Sequence, residues 1–257
     1  LITEHTPLSV FLAEARFPRL RRAAIRAVYP RATLTAGPLE AIGAQLGAAL
    51  GRAAPPFVAL PNPVVDDVGP LRPVRNGARD LVSVGRLAPE KRFDLLIDAF
   101  AELRRTLPEA RLAIHGEGTE RPALEARIRA HGLEGAASLP GYTADLDAVH
   151  RAADLFVCTS RREGLGNAII EAMARGVPVV SVDCPFGPRR LLRDGAAGRL
   201  VTEELPAAIA RAMGETLGDA ALRARYAEAG LEVARDYMVA RAVAAYEAAF
   251  DRALGAA

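Results

Sequence analysis

An α/β architecture built on a doubly wound, Rossmann-like parallel sheet is predicted by three observations. From Leu81 onward, short and mostly apolar runs recur at Leu81–Val84, Leu112–His115, Ala137–Leu139, Leu155–Cys158, Val177–Val182 and Gly198–Val201. Helical stretches separate them, the clearest following Lys91 with Phe93, Leu96, Ile97 and Phe100 on one face. Such alternation places parallel strands between two helical layers, with ligands collecting beyond the strand C-termini. At 257 residues and 51% hydrophobic, the chain can bury a core of that size.

Ahead of this region, Leu1–Thr3 reads as a strand, followed by a helical arm, a strand at Ala32–Leu34 and a helix from about Leu39. Leu39, Ile42, Leu46 and Leu50 recur near helical spacing, with Pro38 close to the first turn. This part is expected to be too short to hold a core of its own. Arg52 to Gly77 carries six of the chain's eighteen prolines and reads as a linker. The tail is helical over Leu205–Leu217, Ala220–Ala234 and Val239–Leu254, where Val239, Val243, Tyr246 and Phe250 form a stripe that calls for a partner surface. Leu1 stands in a strand-like Leu-Ile-Thr with no initiating Met, so the chain is expected to begin inside a larger protein.

Charge and cysteine usage narrow the function. Lys and Arg number 33 against 31 Asp and Glu, and a formal charge of +2 gives no electrostatic case for nucleic acid. One basic cluster stands out at Arg16, Arg19, Arg21, Arg22 and Arg26, readable as a solvated helix face or as a contact with an anionic membrane or acceptor. Cys158 and Cys184 provide neither a disulfide framework nor metal-ligand spacing, which fits a reducing cytoplasm. No apolar run reaches membrane-spanning length, and the start lacks a signal-peptide layout.

The chemistry concentrates between Thr159 and Ser181. Glu163 and Glu171 are separated by seven residues, with Gly164-Leu165-Gly166 after the first and a short amphipathic helix around the second. Asn167 is the expected N-cap, Ile169, Ala172 and Met173 the apolar face, and Gly176 the terminating glycine. The glycines admit a phosphate to bare N–H groups at the positive end of a helix. Two carboxylates flanking an anion site suit hydroxyls, although two acids at this spacing also fit a plain solvated helix. After the first strand, Gly85-Arg86-Leu87-Ala88-Pro89-Glu90-Lys91 brackets a loop with two cations able to hold a diphosphate leaving group without a metal. The bland reading is a loop Arg and a Lys paired with Glu90. His115-Gly116-Glu117-Gly118 ends the second strand with glycines that admit a ligand or a tight turn. Asp145-Leu146-Asp147 spells a metal-binding D-x-D, but an N-cap followed by a first-turn acid accounts for both carboxylates. His131 reads as a helix C-terminal cap, His150 as structural, and no Ser/His/Asp or Cys/His set marks a covalent nucleophile.

These motifs together resemble the retaining glycosyltransferases of the large GT-B family 4, also called group 1. The run EGLGNAIIEAMARGVPVVS follows that family's E-x7-E pattern, and GRL-x-x-EK stands about seventy residues before it. The resemblance spans nearly the whole chain and is densest from Leu81 to Val201. It implies that Glu163 faces the donor sugar, that Glu171 takes the ribose hydroxyls, and that Arg86 and Lys91 bind the donor diphosphate. It further places the nucleotide base near Gly141-Tyr142, where Tyr142 equally reads as a half-buried loop aromatic, and gives His5 a reach to the donor sugar. Donor-binding residues are then Gly85, Arg86, Lys91, Gly116, Tyr142, Glu163, Gly164, Leu165, Gly166, Asn167 and Glu171, with His5, Arg86, Lys91 and Glu163 catalytic. In Cys184-Pro185-Phe186-Gly187-Pro188-Arg189-Arg190, Arg190 replaces an acid common in relatives, which leaves that loop without an assigned role.

The implied domains are 1–63 as the end of an acceptor-side domain, 64–236 as the donor domain, and 237–257 as a helix packing back on the first. The expected reaction transfers a sugar from a UDP- or GDP-sugar to a glycan or lipid-linked acceptor hydroxyl, without cofactor or divalent metal. The resemblance implies a cytoplasmic protein, the full-length form able to work at the inner face of a membrane. A non-catalytic nucleotide-sugar module and a GT-B epimerase or phosphorylase are the alternatives. Intact Arg86, Lys91, Glu163 and Glu171 argue against the first, and the lack of a distinct lysine motif against a phosphorylase.

Overall fold

A computed structural model of the protein describes residues 1–5, 7–13 and 16–255, which form two units, Leu1–Asp66 with Asp236–Ala257, and Asp67–Arg235. The first unit opens with β1 (Ile2–Thr3), continues through α1 (Leu8–Ala13) and α2 (Pro18–Val28) to β2 (Thr35–Gly37), and passes by α3 (Glu40–Leu50) to β3 (Phe57–Ala59). The three strands pair in parallel in the order β1-β2-β3.

Two expectations are corrected here. The second strand lies at Thr35–Gly37 and not at Ala32–Leu34, and the proline-rich stretch read as a linker contains β3. The cause is backbone proximity: a Cβ on Gly37 would stand 2.4 Å from the Glu4 carbonyl oxygen, so this small-residue segment admits its neighbour where a larger one could not. The segment expected to lack a core packs Leu34, Ala36 and Leu60 together, completed by Ala249 from the C-terminal end of the chain. Thr6, part of the Glu4-His5-Thr6 context, lies outside the described residues.

The second unit carries the predicted alternation: β4 (Asp80–Val84), α4 (Phe93–Arg104), β5 (Arg111–His115), α5 (Arg121–Ala130), β6 (Ala137–Gly141), α6 (Leu146–Ala152), β7 (Leu155–Cys158), α7 (Asn167–Ala174), β8 (Val179–Val182), α8 (Gly187–Leu191), β9 (Arg199–Val201), α9 (Pro206–Gly218) and α10 (Ala220–Arg235). All six strands are parallel in the order β6-β5-β4-β7-β8-β9. The chain therefore winds outward one way from β4 and the other way from β7, and the gap beyond these two strands is the topological switch point, where open α/β sheets bind ligands.

Burial explains why the elements stay put. Phe93, Leu96, Ile97, Phe100 and Leu103 of α4 face a core shared with Leu124 and Ile128 of α5 and with Ile209, Met213 and Leu217 of α9. Each such side chain contributes about 1.5–3 kcal/mol when fully removed from water. On another side, α7 packs on α10, where Gly230 makes room for Met173. α7 ends in a Schellman motif: Gly176 N–H donates to the Met173 carbonyl at 2.9 Å and Val177 N–H to the Ala172 carbonyl at 3.1 Å, with Gly176 at φ 65°. Back in the first unit, α11 (Val239–Leu254) buries Ala242 and Ala249, while Val243 and Phe250 of the expected stripe are exposed. The small side chains face inward because they allow close approach to the sheet.

His150 of α6 is 1% exposed, lies 5.8 Å from Phe156 between ring centroids, and among the described residues has no hydrogen-bond partner at either ring nitrogen. Burial lowers its pKa to about 4. The folded state thus binds this proton less readily than the unfolded chain, so its contribution is intact above about pH 6.5 and is lost as pH falls toward 4. At about 1.4 kcal/mol per pKa unit the loss amounts to about 3 kcal/mol. Chemical denaturation across this range should show the decline in the natural protein, and His150→Phe should remove this part of it; an unchanged decline in the variant would contradict the assignment.

Candidate functional site

The switch point is spanned by one ion pair. Lys91 ends a single 3-10 turn, Pro89–Lys91, beyond β4, and its Nζ lies 2.7 Å from Glu163 Oε1, on the loop beyond β7. Both side chains are largely shielded, at 20% and 14% exposure. The alternative reading had paired Lys91 with Glu90; Glu90 is instead bound by Arg86, Nη2 to Oε1 at 2.7 Å, with the Arg86 side chain 79% exposed. Arg86 thus stands at the mouth of the site and Lys91 at its floor.

Two hydroxyls that the sequence reading did not single out hold this arrangement. Ser160 Oγ donates to Glu163 Oε1 at 2.6 Å, and Thr159 Oγ1 lies 3.1 and 3.0 Å from the carbonyls of Lys91 and Arg92. Thr159 therefore ties the β7 loop to the β4 turn, and Arg161 N–H adds a bond to the Glu90 carbonyl at 2.9 Å. The available signal was position alone, two hydroxyl residues directly after a buried strand. Cys158, beneath them, is buried, and its thiol is pushed up by desolvation and by Glu163.

The glycine turn after Glu163 differs in one detail from expectation. Gly166, at φ 95°, is the N-cap of α7, and Asn167 is the first helical residue. The turn needs a left-handed residue at its end, which glycine adopts without steric cost. Leu165 is buried beneath the turn, and Gly164 precedes it on the Glu163 side. The Cys184–Arg190 loop, left without a role above, buttresses this turn: Phe186 pairs with Glu163 in a parallel bridge, and a Cβ on Gly187 would stand 2.0 Å from the Leu165 carbonyl oxygen. Further along α7, Glu171 is half-buried; desolvation raises its pKa, and among the described residues its carboxylate has no hydrogen-bond or ion-pair partner.

Beside the ion pair, Val84, Gly85, Arg86, His115, Gly116, Glu117, Tyr142, Thr143 and Leu146 surround a cleft of about 390 Å³. The loops after β4 and β5 are laced together, Gly85 N–H to the His115 carbonyl and Leu87 N–H to the Glu117 carbonyl, both at 2.9 Å. Gly116, at φ 139°, would place a Cβ 1.9 Å from the Gly85 carbonyl oxygen, so this approach requires glycine. Tyr142 is 79% exposed, a free aromatic face at the cleft rim and not a half-buried one. Burial lowers the His115 pKa, which favours its neutral ring.

The remaining candidates separate cleanly. Asp145 caps α6, accepting from Ala148 N–H at 2.9 Å, and Asp147 in the first turn is ion-paired with Arg175 and Arg151. His131 caps α5 and contacts Asp98 at 2.8 Å. Among the described residues no cluster of three or more His, Cys, Asp or Glu could hold a metal ion. Gly85, Arg86, Lys91, Gly116, Tyr142, Glu163, Gly164, Leu165, Gly166, Asn167 and Glu171 all belong to the second unit, on loops or helix starts beyond strand C-termini except Glu171, which lies midway along α7. His5 follows β1 in the first unit, where it is exposed.

Sequence comparison agrees with this geometry. Residues 72–233 match the family described as glycosyl transferases group 1, a match over more than half of the chain, and the chain belongs to that family. Among curated relatives, it is 44% identical over 110 residues to the mannosylfructose-phosphate synthase of Agrobacterium fabrum, covering 39% of this chain and 24% of that protein. It is 37% identical over 152 residues to the lipopolysaccharide core biosynthesis glycosyltransferase LpsE of Rhizobium meliloti, covering 59% and 43%. The chain thus spans less than half the length of these relatives. The fold is shared with Anabaena HepE in complex with UDP, at a TM-score of 0.82 and 23% identity over 97% of this chain and 71% of that one. It is shared also with TarM of S. aureus in complex with UDP, at 0.77 and 22% over 90% and 46%.

Proposed function

We propose that the chain binds a nucleoside diphosphate sugar at the switch point and, within the whole protein, transfers its sugar to a hydroxyl of a glycan or lipid-linked acceptor. The observation that carries this is the Lys91–Glu163 pair, a shielded cation and carboxylate across the β4/β7 crevice and next to a glycine turn opening a helix. Lys91, Arg86 and the first turn of α7 receive the diphosphate, Glu171 the ribose hydroxyls, and the cleft at Gly85, Gly116 and Tyr142 the base. Glu163 faces the donor sugar. As the glycosidic bond breaks, its electron pair passes to the diphosphate oxygen, where fixed cations stabilise the developing charge. The acceptor oxygen forms the new bond on the same face and its proton leaves with the diphosphate, so configuration is retained. With Arg86 and Lys91 in place, the proposal needs no divalent metal. Residues 1–63 and 237–257 are assigned to the acceptor side, and the protein is assigned to the cytoplasm.

Relatives in complex with UDP support a uridine nucleotide as the first to test. Calorimetry in the presence of a chelator should show UDP binding much more tightly than uridine, and GDP tested alongside decides the base. Arg86→Ala should narrow the diphosphate advantage by about three- to tenfold, the modest effect expected of an exposed cation. Failure of every nucleoside diphosphate to bind, or binding only with added magnesium, would contradict the proposal.

A further inference from the structure

Arginines gather at the end of the large sheet away from the candidate site. Near the N-termini of β4, β7 and β8, a small cavity of about 30 Å³ is lined by Arg72 and Arg75 from the segment entering β4, Asp154 just ahead of β7, and Arg223 of α10. Arg223 is 4% exposed, Asp154 is buried and Arg72 is half-buried, while Arg75 stands at the rim. Three guanidinium groups thus share one carboxylate.

That carboxylate is fully engaged. Asp154 Oδ1 accepts from Arg75 Nε at 2.8 Å, and Oδ2 accepts from the N–H groups of Arg79 and Asp80 at 2.9 and 3.0 Å. Arg75 also reaches Asp80, at 3.4 Å. Arg72 and Arg223 meet carbonyl oxygens instead: Arg72 Nη1 donates to His150 at 3.2 Å, and Arg223 donates to Thr216 at 3.3 Å, to Arg75 at 2.9 Å and to Leu217. Among the described residues neither of the two forms an ion pair. Carbonyls satisfy N–H groups without cancelling a charge, and a buried cation with no counter-charge is costly. Burial lowers the pKa of both arginines, reinforced at Arg72 by Arg75 and Arg151, and Asp154 and Asp219 oppose the shift without cancelling it. The space therefore carries a positive field. Guanidinium N–H groups select an anion, and a volume of this size suits a single-atom ion better than a tetrahedral phosphate.

We propose that this cavity binds one halide ion, chloride in a cell, between Arg72 and Arg223, and that the ion ties the segment entering β4 to α10. The site lies within the second unit, at the opposite end of its strands from Lys91 and Glu163, and stands or falls apart from the transfer reaction. Thermal melts in sodium chloride and in sodium gluconate of matched ionic strength test it. Chloride and bromide should raise the melting temperature in a saturable way, by roughly 2–4 °C, and gluconate, too large to enter, should not. Replacing Arg223 would break its carbonyl bonds at once and endanger the fold, so Arg72→Gln is the variant of choice; it should melt cooperatively and lose the halide-dependent rise. In crystals soaked in bromide, anomalous scattering should mark an ion between the two guanidinium groups. Equal melts in chloride and gluconate, a halide effect undiminished in Arg72→Gln, or water in place of bromide in the cavity would overturn the inference. A phosphate effect saturating at lower concentration than that of chloride would overturn the halide assignment.

Discussion

Lys91→Ala is expected to weaken nucleoside diphosphate binding by roughly ten- to a hundredfold, the range of one charge-assisted hydrogen bond, while nucleoside binding stays nearly unchanged. Lys91 is shielded and held 2.7 Å from Glu163, so its charge is less screened than that of exposed Arg86. Its loss also strands the Glu163 carboxylate with Ser160 as its remaining close hydrogen-bond donor, and a drop of about 1–3 kcal/mol in stability should accompany the binding defect. Glu163→Gln provides the opposing case. It leaves Lys91 without its anionic partner, so diphosphate affinity should hold or rise while transfer by the whole protein collapses. Calorimetry on the two variants decides the matter: equal weakening by both, or no effect of Lys91→Ala, would remove Lys91 from the diphosphate site.

For Glu171→Ala, nucleotide affinity should fall about tenfold or more, and the loss should be specific to the ribose. The natural protein should prefer a ribonucleotide to its 2′-deoxy analogue, and the variant should bind both alike. Burial without a partner raises the Glu171 pKa, and ribose hydroxyls donate to the ionised form. Affinity should therefore be constant above that raised pKa and decline as pH is lowered through it, a dependence the variant loses. If the deoxy analogue were discriminated equally by both proteins, the carboxylate would not be reading the ribose.

How far the sequence foretold this structure depends on what each segment is made of. Strands of the larger unit were legible because burial on both faces demands continuous apolar runs; Leu155–Cys158 was placed to the residue. β2 was not, since Thr35, Ala36 and Gly37 earn their place by being small enough for the Glu4 backbone to approach, which no hydrophobic pattern records. Likewise α11 was bounded correctly but only part of its stripe turns inward: Tyr246 packs against the core while Val243 and Phe250 are exposed, and the fully buried positions are the alanines Ala242 and Ala249, which do not stand out in a sequence. At the site, motif spacing identified Lys91 and Glu163 separately. Their pairing, and the hydroxyls of Thr159 and Ser160 that hold it, come from strand order, which brings β4 beside β7 across more than sixty intervening residues.

The first unit is assembled from both ends of the chain, and that has a bearing on synthesis. Its sheet forms from early residues, yet Ala249, which completes the cluster around Leu34, Ala36 and Leu60, emerges only after the whole of Asp67–Arg235. At roughly 5–20 residues per second, that delay is on the order of ten to thirty seconds on the ribosome. The larger unit, contiguous in sequence, can fold as it is translated. The cluster around Leu34, Ala36 and Leu60 waits with part of its apolar surface open until Ala249 arrives.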